Sequence, residues 1–117
     1  MLPRPFLVDS IESDCNNSDM AAYLLASYTV DNEEGYAPYV GAVVPVLMAH
    51  GAEILVADAS PEVREGEPHE HQVVIRFPSK EAANAFYDSA EYQAVIHHRT
   101  DNSRGTLVIC DELVMPG

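Results

Sequence analysis

The sequence predicts an α+β fold of the ferredoxin-like kind, a βαββαβ sandwich with an antiparallel sheet and helices on one face. Three observations predict it. Residues 20–113 alternate between segments with an apolar period of two and segments with a period near 3.6, these follow the order strand, helix, strand, strand, helix, strand, and turn residues separate them. A chain of 117 residues, 47% of them apolar, is about one domain. It is long enough to bury roughly two-thirds of the surface its unfolded form exposes.

The first strand spans Ala21 to Val30, where Tyr23, Leu25, Ser27 and Thr29 alternate with Leu24, Ala26, Tyr28 and Val30. Asp31 then reads as a helix N-cap with Glu34 at capping-box spacing, followed by Tyr36, Tyr39, Val40, Val43, Val44, Leu47 and Met48 at helical spacing. Pro38 and Pro45 fall inside that pattern, so the helix starts late or bends near one of them. His50-Gly51 stops it. Ala52 to Ala57 is the second strand, and the polar loop Asp58–Glu70, with Pro61, Gly66 and Pro68, leads into the third, His71 to Phe77. Ser79 caps the second helix, whose inner face carries Ala82, Ala83, Phe86 and Tyr87. Ser89 can recap a further stretch in which Tyr92, Val95, Ile96 and Arg99 recur, and Thr106 to Leu113 closes the pattern as the last strand.

Residues 1–19 differ in composition and read as an N-terminal extension, either a tail or an arm docked through Phe6, Leu7, Val8 and Ile11. Residues 114–117 form a short C-terminal tail. The strands of the 20–113 domain carry apolar residues on both faces, and helices cover only one. A second copy packed on the bare face removes that patch from water, which predicts a homodimer, a dimeric α/β barrel.

Charge narrows the partners. Six Lys+Arg stand against nineteen Asp+Glu, a net charge of −13, so the clustered cations that bind nucleic acid or anionic lipid are missing. Such a field repels anionic ligands unless a local Arg offsets it, and a neutral or cationic small ligand suits it better. The opening Met1–Asp9 breaks off before an apolar signal core forms, and no run approaches membrane-spanning length. A cytoplasmic protein is expected. Of the two cysteines, Cys15 lies in the extension and Cys110 in an apolar strand, where it reads as a buried filler.

The pattern formed by Tyr36, Tyr39, Pro45, Gly51, Glu65-Gly66, Phe77-Pro78-Ser79, Ala82-Ala83, Phe86-Tyr87, Ser89, Tyr92 and Arg99 resembles the domain of unknown function thirteen-thirty family, of the dimeric α/β barrel superfamily. The chain departs from that family at Ala52 and Glu53, where Gly and a basic residue are usual, and at Phe86, where Trp is common. The resemblance implies the fold and pairing above. It brings relatives such as cofactor-free antibiotic-biosynthesis monooxygenases and stress-response barrels, and no established activity.

Tyr36, Tyr39, Tyr87, Ser89, Tyr92 and Arg99, with Glu65 at the mouth, are the candidates for a ligand cleft between sheet and helices, where phenols and a guanidinium orient a small organic molecule. Tyrosines at helical spacing serve equally as core, and Gly66 reads as a turn residue. A general base is sought among His50, His71, His97 and Glu65. His69 and His71, two apart, can join Glu65, Glu67, His97 or His98 around a metal, but as residues flanked by Pro68 and Glu70 they read as solvated strand-end histidines, and no metal is expected. The scattered glycines form no phosphate-cradling loop, so no nucleotide cofactor is expected. Two functions follow: binding of a small organic ligand, with cofactor-free chemistry of the monooxygenase or isomerase kind, or a non-catalytic interaction or stress-related dimer whose tyrosines only pack.

Overall fold

The computed structural model describes residues 20–114. They form β1 (Ala22–Val30), α1 (Glu33–Tyr36), α2 (Pro38–Ala49), β2 (Glu53–Asp58), β3 (His71–Phe77), α3 (Lys80–Asp88), α4 (Ala90–Val95), α5 (His97–Thr100) and β4 (Ser103–Asp111). The docked-or-free alternative for residues 1–19, and Cys15 with it, lies outside the described residues. The four strands make one sheet in the order β2-β3-β1-β4, antiparallel at every pairing. This is the ferredoxin-like arrangement that the order of elements predicted.

Strand parity sorts the sheet into two faces. On the helix side Leu24, Ala26 and Tyr28 of β1 lie opposite Ile75, Val73 and His71 of β3, and opposite Ile109, Leu107 and Gly105 of β4. Helices α2, α3 and α4 close over this side. The core centres on Tyr92, Phe77, Phe86 and Leu24, all within 2% of full burial. Burying a side chain of this size stabilises the fold by about 1.5–3 kcal/mol.

On the other side, Leu25 has Val74 of β3 on one flank and Val108 of β4 on the other, and Val56 of β2 lies beside Val74. The bulge between Ile54 and Val56 brings Leu55 to the same side. Leu25, Leu55, Val56 and Val108 are 38–49% exposed, and with half-buried Val74 they form an apolar stripe across all four strands. Cys110 sits on this side opposite Tyr23 and is exposed, so the expectation of a buried filler was wrong. An apolar run on a strand shows that both faces are apolar, not that both are covered.

The structure corrects several boundaries. The first helix is capped by Asn32, whose side chain accepts from the Gly35 amide, while Asp31 pairs with Arg104 at 3.2 Å. The helix breaks at Ala37–Pro38, where proline restarts it without an amide to satisfy, and then runs through Pro45. The carbonyl left without a donor there is that of exposed Gly41, where water can serve it. Ser79 and Ser89 cap α3 and α4 as expected, accepting from the Ala82 and Tyr92 amides at 3.0 and 3.1 Å. The last strand begins at Ser103 rather than Thr106 and ends at Asp111 rather than Leu113. Gly105, just before the expected start of the strand, is part of the ladder: a Cβ there would run into the Ser27 carbonyl oxygen and the Tyr28 Cα. Among the described residues no helix is long and apolar enough to cross a membrane.

Candidate functional site

Between the inner sheet face and the helices lies a cavity of about 300 Å³. Its floor is Leu24, Ala26, Val73, Ile75 and Leu107, and its roof is Val43, Val44 and Leu47 of α2. Ala26 explains part of the space, since a methyl stands there between the larger Leu24 and Tyr28 on the same face. The exposed lining residues Val40, Ile54, Ala57, Asp58 and Ala59 mark where it reaches solvent, between α2 and the edge strand β2.

The polar part of the wall is a linked set of rings. The Tyr28 and Tyr36 hydroxyls lie 2.7 Å apart, as do those of Tyr39 and Tyr92. Arg99 donates from Nη2 to the Tyr92 hydroxyl at 3.3 Å, and its guanidinium carbon stands 5.9 and 5.8 Å from the Tyr28 and Tyr39 ring centres. These are cation–π distances. His71 stacks on Tyr28 with ring centres 5.1 Å apart and planes 1° from parallel.

Arg99 is 8% exposed, and its Nε is buried with no acceptor among the described residues. Burial opposes its charge, and the Tyr92 and Tyr39 oxygens beside it favour it. Burial, then the paired phenols, push Tyr28 and Tyr39 well above the ordinary tyrosine value. The site therefore carries a cation beside the firmly protonated hydroxyls of Tyr28 and Tyr39.

Of the sequence candidates, Tyr36, Tyr39, Tyr92 and Arg99 line this cavity together. Three stand elsewhere. Tyr87 packs its ring on Tyr92, 5.5 Å between centres, outside the cavity wall. Ser89 is committed to the α3–α4 junction, donating to the Phe86 carbonyl and accepting from the Tyr92 amide. Glu65 is exposed on the β2–β3 loop beside Gly66, whose φ of +82° fits the turn reading.

The other histidines are dispersed. Nδ1 of His50 lies 3.0 Å from the Val46 carbonyl, and Nδ1 of His69 lies 2.9 Å from the Thr29 hydroxyl. His97 stacks near His98 on α5. Among the described residues no three His, Cys, Asp or Glu gather as a metal-holding group. Sequence reasoning missed Tyr28 as a wall residue and gave His71 no place beside it. Parity was the available signal, since Tyr28 shares a β1 face with Leu24 and Ala26, and His71 shares a β3 face with Val73 and Ile75.

The fold has relatives among solved structures. A protein of unknown function from Rhodopseudomonas palustris superposes with a TM-score of 0.62 at 17% identity, covering 83% of this chain and 85% of its own. The methylated form of that protein gives 0.69 at 17% identity, with 82% and 83% covered. A "putative antibiotic biosynthesis monooxygenase" from Bacteroides thetaiotaomicron gives 0.54 at 20% identity, with 86% and 95% covered. These likenesses establish the fold alone. No curated protein matches the chain. The family model described as Domain of unknown function (DUF1330) matches residues 21–113, which is the whole sandwich from β1 to the residues just after β4, and the chain belongs to that family.

Proposed function

We propose that this protein binds a small, mainly apolar organic ligand in the cavity between sheet and helices, and that it works as a homodimer paired through the open sheet face. One observation carries the first part: an unfilled, solvent-connected cavity of about 300 Å³ whose apolar walls end in a cluster of buried phenols and a guanidinium. Ligand sites have this composition, apolar with a few converging polar groups, in volumes from roughly 300 to 1,000 Å³. The pairing rests on the stripe of Leu25, Leu55, Val56 and Val108, apolar surface that a monomer leaves in water. The likeness to a monooxygenase-named structure and the family's superfamily are in keeping with it.

For chemistry of the monooxygenase or isomerase kind, the base beside the ligand is His71, the one imidazole on the cavity wall. The alternative, a non-catalytic dimer whose tyrosines only pack, requires a core filled by its own side chains, and the cavity speaks against it.

Native mass spectrometry of the untagged full chain tests both parts. A species of twice the chain mass carrying an organic adduct is expected, and Ala26→Leu, which extends into the cavity floor, should lose the adduct while keeping the dimer. A bare dimer that also binds no one-ring or two-ring fragment in ligand-observed NMR overturns the cavity reading. A monomer at micromolar concentration overturns the pairing.

A further inference from the structure

We infer that the ligand is an anion, a carboxylate or enolate on a small apolar body, with the negative oxygen received by Arg99. This rests on the cavity reading above and narrows it to a ligand class.

A buried guanidinium requires a counter-charge or a full set of acceptors, because removing it from water costs several kcal/mol otherwise. Arg99 has neither among the described residues. The ion pairs found there are Arg76–Glu53, Lys80–Asp111 and Arg104–Asp31, all on partly exposed side chains, and none involves Arg99. Asp58 is a carboxylate on the cavity wall, but it lies at the exposed mouth and its Oδ1 accepts from the Ser60 amide at 2.9 Å. What Arg99 does touch is neutral: the Tyr92 hydroxyl and the faces of Tyr28 and Tyr39. A phenolate at Tyr28 or Tyr39 does not supply the charge, since burial disfavours ionisation of both.

The tyrosines add donors to the same place. In each hydroxyl pair one O–H is used on its neighbour, and the second O–H remains to be directed elsewhere. An oxyanion beside Arg99 would lie against the guanidinium where it lines the cavity and accept from such a phenol, supplying the counter-charge that Arg99 lacks among the described residues. The rest of the wall, including Leu24, Val43, Leu47 and Phe86, suits only hydrocarbon. The net charge of −13 repels anions in general, so the local cation is what admits one, and a single negative charge is the limit it can balance.

Calorimetric titration of the full-length protein near neutral pH, using benzoate and cinnamate against their neutral isosteres benzamide and cinnamamide, tests this. The carboxylates should bind about tenfold or more tightly than the amides, the worth of one charge-assisted hydrogen bond. Arg99→Met, checked by its melting curve, should lose that preference and keep the amides. If the variant does not fold, the comparison of the four probes on the unaltered protein still decides. Equal or tighter binding of the amides overturns the anion inference and leaves the cavity reading standing. Binding of none of the four overturns both.

Discussion

Arg99 and Tyr92 stand seven residues apart in the chain and share a buried hydrogen bond of 3.3 Å. That spacing is two helical turns, so the short helices α4 and α5 deliver both side chains to one face even though they are separate. Tyr92 also bonds Tyr39 of α2 at 2.7 Å, which makes its hydroxyl the joint between α2 and the α4–α5 segment.

Replacing Tyr92 with Phe removes the Tyr39 partner and the Arg99 acceptor at once. A loss of about 1–3 kcal/mol is expected from leaving buried polar groups unpaired, read as a lower urea midpoint with an unchanged slope. Tyr87→Phe is the control. Its hydroxyl makes no hydrogen bond among the described residues, and its ring packing survives the change, so a midpoint within experimental scatter of the parent is expected.

Alkaline pH should weaken the fold through Tyr28 and Tyr39. Both hold their protons above the ordinary value of 10.0, because of burial first and their tyrosine partners second. The unfolded chain releases those protons and the folded one does not, so the stabilisation is complete below pH 10.0 and is lost as pH rises beyond it. Each group contributes about 1.4 kcal/mol per pH unit in that window. Ultraviolet titration at the phenolate band should show these tyrosines ionising only together with unfolding. Their ionisation in a still-folded protein would contradict the buried hydroxyl network.

Leu25→Asp puts a carboxylate at the centre of the open sheet face, between Val74 and Val108, without touching the cavity on the other side. Sedimentation should show the parent as a dimer and the variant as a folded monomer. A variant that remains dimeric would place the contact elsewhere on the surface.

Gly105→Ala should be strongly destabilising for a change of one methyl. The new Cβ meets backbone atoms of Ser27 and Tyr28, which cannot turn aside as a side-chain tip can, so the β1–β4 pairing must part locally. A cost of at least about 2 kcal/mol is expected, in the range of core overpacking. Gly41→Ala, where the added atom meets nothing within 4 Å, should be neutral or slightly stabilising by the same thermal melt.

The sequence by itself determined the layout of this protein. Period-two runs marked β1 and β3, and Ser79 and Ser89 announced two helix starts through local capping chemistry that needs no distant partner. Four of the wall residues, Tyr36, Tyr39, Tyr92 and Arg99, were legible because helical spacing aligns them on inward faces. Asn32 as the true cap was not legible, since Asp31 and Asn32 compete for one position and the choice turns on Arg104, distant in the chain but adjacent in the sheet. The inclusion of Gly105 in β4 was likewise set by its approach to Tyr28 across the ladder.

The tertiary structure alone decided the chemistry of the site. Whether a tyrosine fills a core or rims a cavity depends on what packs opposite it, and that depends on Ala26, Val43 and their neighbours meeting across layers. The same holds for charge: a sequence with nineteen acidic residues gave no hint that Arg99 lies buried with no carboxylate paired to it among the described residues, because burial and pairing are properties of three-dimensional neighbourhood, which local periodicity does not encode.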